Sequence, residues 1–256
     1  MPIEIRHQKL SRYILPLREG GSLPALAEAD DGFKYVVKLR GAGHGAKALI
    51  AELIGGEIIR AAGLKVPELV FLDLDEDFGR TEGDEEIQDL LKGSQGLNLG
   101  LHYLRNAFTW DVAVNTTDAM TASKIVWLDA FLTNVDRTAV NTNMLLWNRE
   151  LWLIDNGASL YFHHRWEGWE KTMLTTFPFI KDHALLPLAS KIREAQEELQ
   201  KVITPELIEE TVGLIPDEWL DNPEEQRIVY SEFLKGRLKN SNIFTDHAIE
   251  AKRALV

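Results

Sequence analysis

The chain has 256 residues, 45% of them hydrophobic and 27% charged, a balance that suits a folded globular protein with a sizeable core. A formal net charge of −12 and a pI near 5.1 repel a polyphosphate backbone, so direct nucleic-acid binding through bulk charge is not expected. The absence of cysteine excludes disulfides, thiolate zinc sites and cysteine nucleophiles, so any metal must sit on oxygen or imidazole.

Met1 to Arg6 lack the apolar core of a signal peptide, and no stretch reaches the roughly 18 apolar residues of a membrane span. A cytoplasmic protein with no membrane partner is the expectation. From about Glu4 to Val70 the pattern reads as strands followed by a helix. Tyr35 to Leu39 is a short β-branched and aromatic run, bounded by Asp30-Asp31-Gly32 and Gly41-Ala42-Gly43, which predicts a strand carrying Lys38. From Ala46 to Ala62 the apolar residues Leu49, Ile50, Leu53, Ile54, Ile58 and Ile59 recur at helical spacing, with Gly63 placed as a C-terminal cap. Pro67 opens an extended run over Glu68 to Leu74, and the acidic stretch Asp73 to Asp89 reads as a solvated loop with a short helix.

Gln95 to Leu104 is extended again, interrupted by Asn98, Gly100 and His102, and is predicted to lead into an interlobe connection over Asn98 to Arg105. Ala119 to Leu132 predicts a buried helix. Two short apolar runs, Met144 to Trp147 and Leu151 to Ile154, flank Asn148-Arg149-Glu150 as a hairpin. Beyond Pro187 the chain reads as charged amphipathic helices, among them Leu188 to Ile203, Pro205 to Leu214 and Asn222 to Leu238. Strands first and helices later, with one hairpin between, argue for an α+β fold.

Polar residues crowd the segment Asn134 to Asn143, and Asp155-Asn156-Gly157 follows the hairpin. Phosphoryl transfer from a nucleotide needs a carboxylate near the acceptor hydroxyl and oxygen ligands that hold Mg²⁺. Asp136, Asn141 and Asp155 supply those groups, and pairing of the hairpin strands brings Asp155 toward Asn141. Asn and Asp also form turns, so the same residues admit a purely local reading.

Asp-Arg-x-x-x-Asn followed by a hairpin and Ile-Asp-Asn-Gly resembles the catalytic and metal-binding loops of HipA-like kinases and, more distantly, phosphatidylinositol kinases. The resemblance spans about Arg18 to Phe162 and implies a bilobal protein-kinase-like fold: a β-rich N-lobe over residues 1–97 and a helical C-lobe over 98–256. It implies an ATP- and Mg²⁺-dependent phosphotransferase in which Asp136 is the catalytic aspartate and Asn141 and Asp155 are the Mg²⁺ ligands. Lys38 then meets the nucleotide phosphates and is oriented by Glu52, with Glu57 as the rival partner. Lys38 as an outward edge-strand charge and Glu52 as a solvated helix residue are the plain alternatives.

Gly20, Gly21 and Ser22 are the candidate phosphate-covering loop, with Gly41 to Gly45 a rival glycine cluster; Leu97 and Asn98 are further candidate nucleotide contacts. Asn134-Val135-Asp136 stands in place of the His-Arg-Asp of protein kinases, and Asn156 in place of the phenylalanine of Asp-Phe-Gly. His163 and His164 read as ordinary histidines rather than metal ligands, and Trp166 and Trp169 as lobe packing, while the segment from His163 to Trp169 is a candidate wall on the acceptor side. The expected partners are a nucleotide, an unidentified protein or small-molecule acceptor, and a possible regulatory protein. A catalytically silent pseudokinase and a nucleotidyl transferase are the rival readings. The resemblance also suggests toxin–antitoxin biology, while the lack of a DNA-binding motif and of a counterpart to the additional N-terminal domain of longer HipA proteins weighs against toxicity.

Overall fold

Short β-branched and apolar runs separated by glycine-bearing turns make up most of the first hundred residues, and they fold as five strands. A computed structural model describes residues 2–17, 23–79 and 82–255. Strands β1 (Arg6–Pro16), β2 (Ala25–Ala29), β3 (Lys34–Lys38), β4 (Leu69–Leu74) and β5 (Gly96–His102) close into a barrel in the order β1-β2-β3-β5-β4. Only the β1–β4 pair is parallel among these. Two register shifts in β1, between Leu10 and Arg12 and between Tyr13 and Leu15, bend that long strand around the barrel. Leu10, Ala27, Tyr35, Val37, Val70 and Leu72 fill the interior.

Helix α1 (Ala46–Ala61) leaves the barrel after β3 and is buried on every side from Leu49 to Ile59. A helix apolar all round belongs between two layers. Here α1 lies between the barrel and the second lobe, sharing one core with Leu69, Phe71, Leu99 and Leu101 of the strands and with the helices that follow. Each fully buried Leu or Ile on it contributes roughly 1.5–3 kcal/mol. Gly63, at φ 81, ends the helix as the sequence predicts: its N–H bonds Arg60 O at 3.0 Å and Leu64 N–H bonds Ile59 O at 3.3 Å. The acidic segment resolves into a turn and helix α2 (Glu85–Lys92), capped by the Asp84 side chain, whose Ile87 and Leu91 close the barrel interior.

The second lobe holds a three-stranded sheet, ordered β6 (Phe108–Thr109), β7 (Met144–Trp147) and β8 (Glu150–Leu153), and helices α3 (Ala119–Leu132), α4 (Trp169–Thr172), α5 (Ile192–Val202), α6 (Pro205–Gly213), α7 (Pro223–Lys239) and α8 (Asn242–Arg253). The β7–β8 loop is two residues, Asn148 and Arg149, both with positive φ (50 and 64), so Glu150 belongs to the strand. That is the turn whose twist matches the strands it joins. Helix α3 runs through the centre of the lobe, and the buried Arg237 of α7 donates to its terminal carbonyls, Phe131 O at 2.8 Å and Ala130 O at 2.6 Å. Those bonds satisfy acceptors that a helix end otherwise leaves open.

The α+β expectation holds, with a β-rich first lobe and a helical second. The barrel nevertheless continues to His102, so the boundary expected at residue 97 falls inside β5, and Asn98 is a strand residue rather than the start of a connection. Helix α8 is an element the sequence pattern did not single out. Among the described residues no helix is long and apolar enough to cross a membrane.

Candidate functional site

Lys38 ends β3 with its side chain turned inward, only 10% exposed. A buried ammonium needs partners. It has two: Glu52 Oε2 of α1 at 3.1 Å, and the carboxylate of Asp155, to which it donates a hydrogen bond. Burial alone would pull the Lys38 pKa down, but the Glu52 and Asp155 carboxylates outweigh it and hold it above the ordinary lysine value. The rival, Glu57, pairs with Arg60 at 3.2 Å instead.

Asp155 arrives from β8 in a left-handed conformation, φ 55, which aspartate enters more readily than most residues and which its surroundings hold in place. The restraint comes from the hairpin base, where Ile154 N–H donates to Asn143 O at 3.0 Å, and from the next residues. Asn156 is fully buried against α1, and Gly157 lies where an added Cβ would meet Ala48 O at 3.4 Å. Gly55 of α1 permits this approach, because a Cβ there would fall 2.9 Å from Asn156 Cβ.

Asp136 follows the left-handed Thr133 that ends α3. Its Oδ2 accepts from Asn141 Nδ2 at 2.8 Å and Asn143 Nδ2 at 3.2 Å, leaving Oδ1 without a protein donor among the described residues. Thr138 N–H donates to Asn141 O at 2.9 Å, closing the loop that sets Asp136 and Asn141 on the same side. Asn141 itself is exposed at the tip of this loop.

A buried polar network beneath this loop is absent from the sequence reading. Asp129, 1% exposed on α3, accepts from Arg137 Nε at 2.6 Å and Asn134 Nδ2 at 3.0 Å, and pairs with His183 Nε2 at 2.9 Å. Burial raises the Asp129 pKa, but Arg137 and His183 more than reverse this and hold the carboxyl below its usual range. Arg137, fully buried, also donates to Asn143 O, Ile154 O and Asn156 Oδ1. The available signal was a lone acid in the apolar run of α3, which must find a cation inside.

Other predicted residues lie elsewhere. Asn98 is fully buried, its Oδ1 accepting from Arg40 N–H at 2.8 Å and its Nδ2 donating to Ser94 O and Gly96 O. Leu97 faces the shared core, and its carbonyl accepts from Trp219 Nε1 at 3.0 Å. The Asn98 side chain is thus committed to the protein's own hydrogen bonds and the Leu97 side chain to the core. Gly20, Gly21 and Ser22 lie outside the described residues. Among the described residues no group of three His, Cys, Asp or Glu side chains is placed to hold a metal. His163 is buried against Tyr230, its Nδ1 3.0 Å from the hydroxyl, and Trp166 packs edge-on to Phe162 and Tyr230. His163 therefore belongs to the lobe interior, and the half-buried Trp166 packs at its margin. A separate open cavity of about 700 Å³ adjoins the tip of the Asp136–Asn141 loop, lined by Thr138, Ala139, Val140, Trp110 and His183.

A barrel lobe whose strand lysine pairs with a helix glutamate, set over a helical lobe bearing these two loops, is the architecture of kinases. It is similar to the crystal structure of the proinflammatory kinase CtkA of Helicobacter pylori, with TM-score 0.58 and 13% sequence identity, covering 97% of this chain and 99% of that one. The family model of the HipA-like kinases matches residues 11–243, and the chain belongs to that family. No curated protein matches the sequence.

Proposed function

We propose that the protein transfers the γ-phosphoryl group of ATP to a hydroxyl acceptor, in a site formed by Lys38, Glu52, Asp136, Asn141 and Asp155. The observation that carries this reading is the convergence of three charged residues on one point: the buried Lys38 from the barrel and Glu52 from α1, and the half-exposed Asp155 from the hairpin. Nothing in the packing of an apolar interface calls for three ionised groups there; a cation held ready for phosphate does.

The donors fit Mg²⁺. The Asn141 amide oxygen and the second carboxylate oxygen of Asp155 are hard ligands, and a metal bound through one or two protein groups leaves its other positions to phosphate and water. Bound there, Mg²⁺ supplies neutralisation of phosphate charge. Lys38, kept protonated by Glu52, contacts the same phosphates as a fixed cation. Asp136 Oδ1 accepts the hydrogen bond of the acceptor hydroxyl and takes its proton as the new P–O bond forms and the bond to ADP breaks. Asn141 and Asn143, donating to Oδ2, keep the carboxylate turned toward that oxygen.

Asp136→Ala tests the assignment. It is expected to retain Mg²⁺-dependent ATP binding and to lose roughly a hundredfold or more in transfer rate. An unchanged rate removes Asp136 from the chemistry. ATP binding with no ATP consumption by the native chain indicates a pseudokinase, and an AMP adduct by mass spectrometry indicates nucleotidyl transfer.

A further inference from the structure

Asn156 stands where the Asp-Phe-Gly loop of protein kinases has phenylalanine, and its surroundings show what an amide does there. Its Oδ1 accepts from Arg137 Nη2 at 2.8 Å and its Nδ2 donates to Glu52 Oε1 at 3.3 Å. A guanidinium only donates and a carboxylate only accepts, so an amide satisfies both neighbours without adding charge, and its orientation is fixed by them. Both neighbours are anchored in turn. Arg137 is held by Asp129 and two backbone carbonyls, while Glu52 holds Lys38 through its other oxygen. A continuous buried path runs from α3 through the Asp136 loop and Asn156 to α1 and β3.

We propose that Asn156 is a positioning residue: its amide bridge sets the Glu52–Lys38 pair relative to the Asp136 loop, so that α1 is fixed by a hydrogen bond instead of by apolar packing of a phenylalanine. Three observations converge on this. Asn156 is fully buried, so its polar atoms have no water to turn to. Gly55 removes the Cβ that would keep α1 away from it. Among the described residues Glu52 has two polar partners, Asn156 and Lys38, so without the amide the glutamate is steered by the lysine alone. The catalytic consequence rests on the phosphotransfer reading, whereas the mechanical one rests on the geometry.

Reversal of the pair tests it. Asn156→Asp keeps the size and the Arg137 contact but turns a carboxylate oxygen toward Glu52. Adding Glu52→Gln restores a donor between the two positions, running in the opposite direction, and leaves an oxygen for Lys38. Two quantities are measured on the full chain: kcat and KM for ATP with Mg²⁺, and hydrogen exchange of the α1 amides. N156D is expected to lower kcat/KM for ATP on the order of tenfold or more, affecting kcat and KM together, and to speed α1 exchange. The E52Q/N156D chain is expected to exceed N156D in kcat/KM and to recover α1 protection, although E52Q alone is slower than native.

Native kinetics and native exchange in N156D overturn the proposal, as does a double variant slower than N156D by the full factor of E52Q alone. If the native chain consumes no ATP, the phosphotransfer reading fails. The bridge is then decided by the exchange data, in which loss of protection in N156D and its return in the double variant uphold it and their absence refutes it.

Discussion

Removal of the Asp129 carboxylate is the perturbation to which the second lobe should respond most strongly. In Asp129→Ala the Arg137 guanidinium stays fully buried but loses the one carboxylate it meets among the described residues, and His183 and Asn134 lose an acceptor in the same step. Leaving one member of a buried pair behind costs about 3–5 kcal/mol, a large share of the roughly 5–15 kcal/mol that holds a protein folded. With a urea dependence of roughly 3 kcal/mol per molar, the unfolding midpoint should fall by about 1 M or more. The same carboxyl makes the stability pH-dependent in a defined direction. Its folded pKa lies below the ordinary 3.8, so its contribution is present above that value and is lost as pH falls through the folded one. Asp129→Asn, which keeps the volume and one acceptor, should lose less. A loss below about 1 kcal/mol in Asp129→Ala, the scale of a solvated ion pair, would refute the view that this network anchors the catalytic-type loop.

Gly55→Ala should destabilise by roughly 1–3 kcal/mol in thermal or urea unfolding, because the new Cβ meets Asn156 Cβ at 2.9 Å. Stabilisation by about 1 kcal/mol, the ordinary gain of alanine over glycine in a helix, would show that α1 does not press on Asn156. His163 has its pKa pushed down by burial to about 2, so it stays neutral in the folded chain while the unfolded chain takes up a proton below about 6.5. Stability should therefore fall by about 1.4 kcal/mol for each pH unit below that value, a slope that His163→Gln should remove from urea unfolding between pH 7 and 5. Equal slopes in the two chains would contradict it. Arg237→Ala should lower the urea midpoint by exposing no new surface but orphaning the α3 carbonyls of Ala130 and Phe131, a loss of about 2 kcal/mol or more. A change within about 0.5 kcal/mol would argue that water satisfies that helix end.

Periodic and turn-forming features were readable from the chain because their causes are local. Helix α1 ends at Gly63 because a left-handed cap favours glycine, and the β7–β8 hairpin follows from two apolar runs around Asn148 and Arg149. Lys38 was legible as a lysine inside a strand, though the choice between Glu52 and Glu57 was not. Both acids are buried on α1, and only the tertiary direction of the helix decides that one meets Lys38 and the other Arg60. Asn98 shows the opposite failure. Its amide interrupts an apolar run as a loop residue would, yet it sits in β5 and ties Arg40 and Ser94 to the strand. Asp129 and His183 are 54 positions apart, and no periodicity connects an acid on α3 with a histidine in a distant turn.

The central claim is tested most directly by a crystal structure of the chain with a non-hydrolysable ATP analogue and Mg²⁺. The account predicts metal density bound by the Asn141 amide oxygen and the Asp155 carboxylate, with Lys38 Nζ on the phosphates and still paired to Glu52. Metal or phosphates bound away from these residues would contradict it.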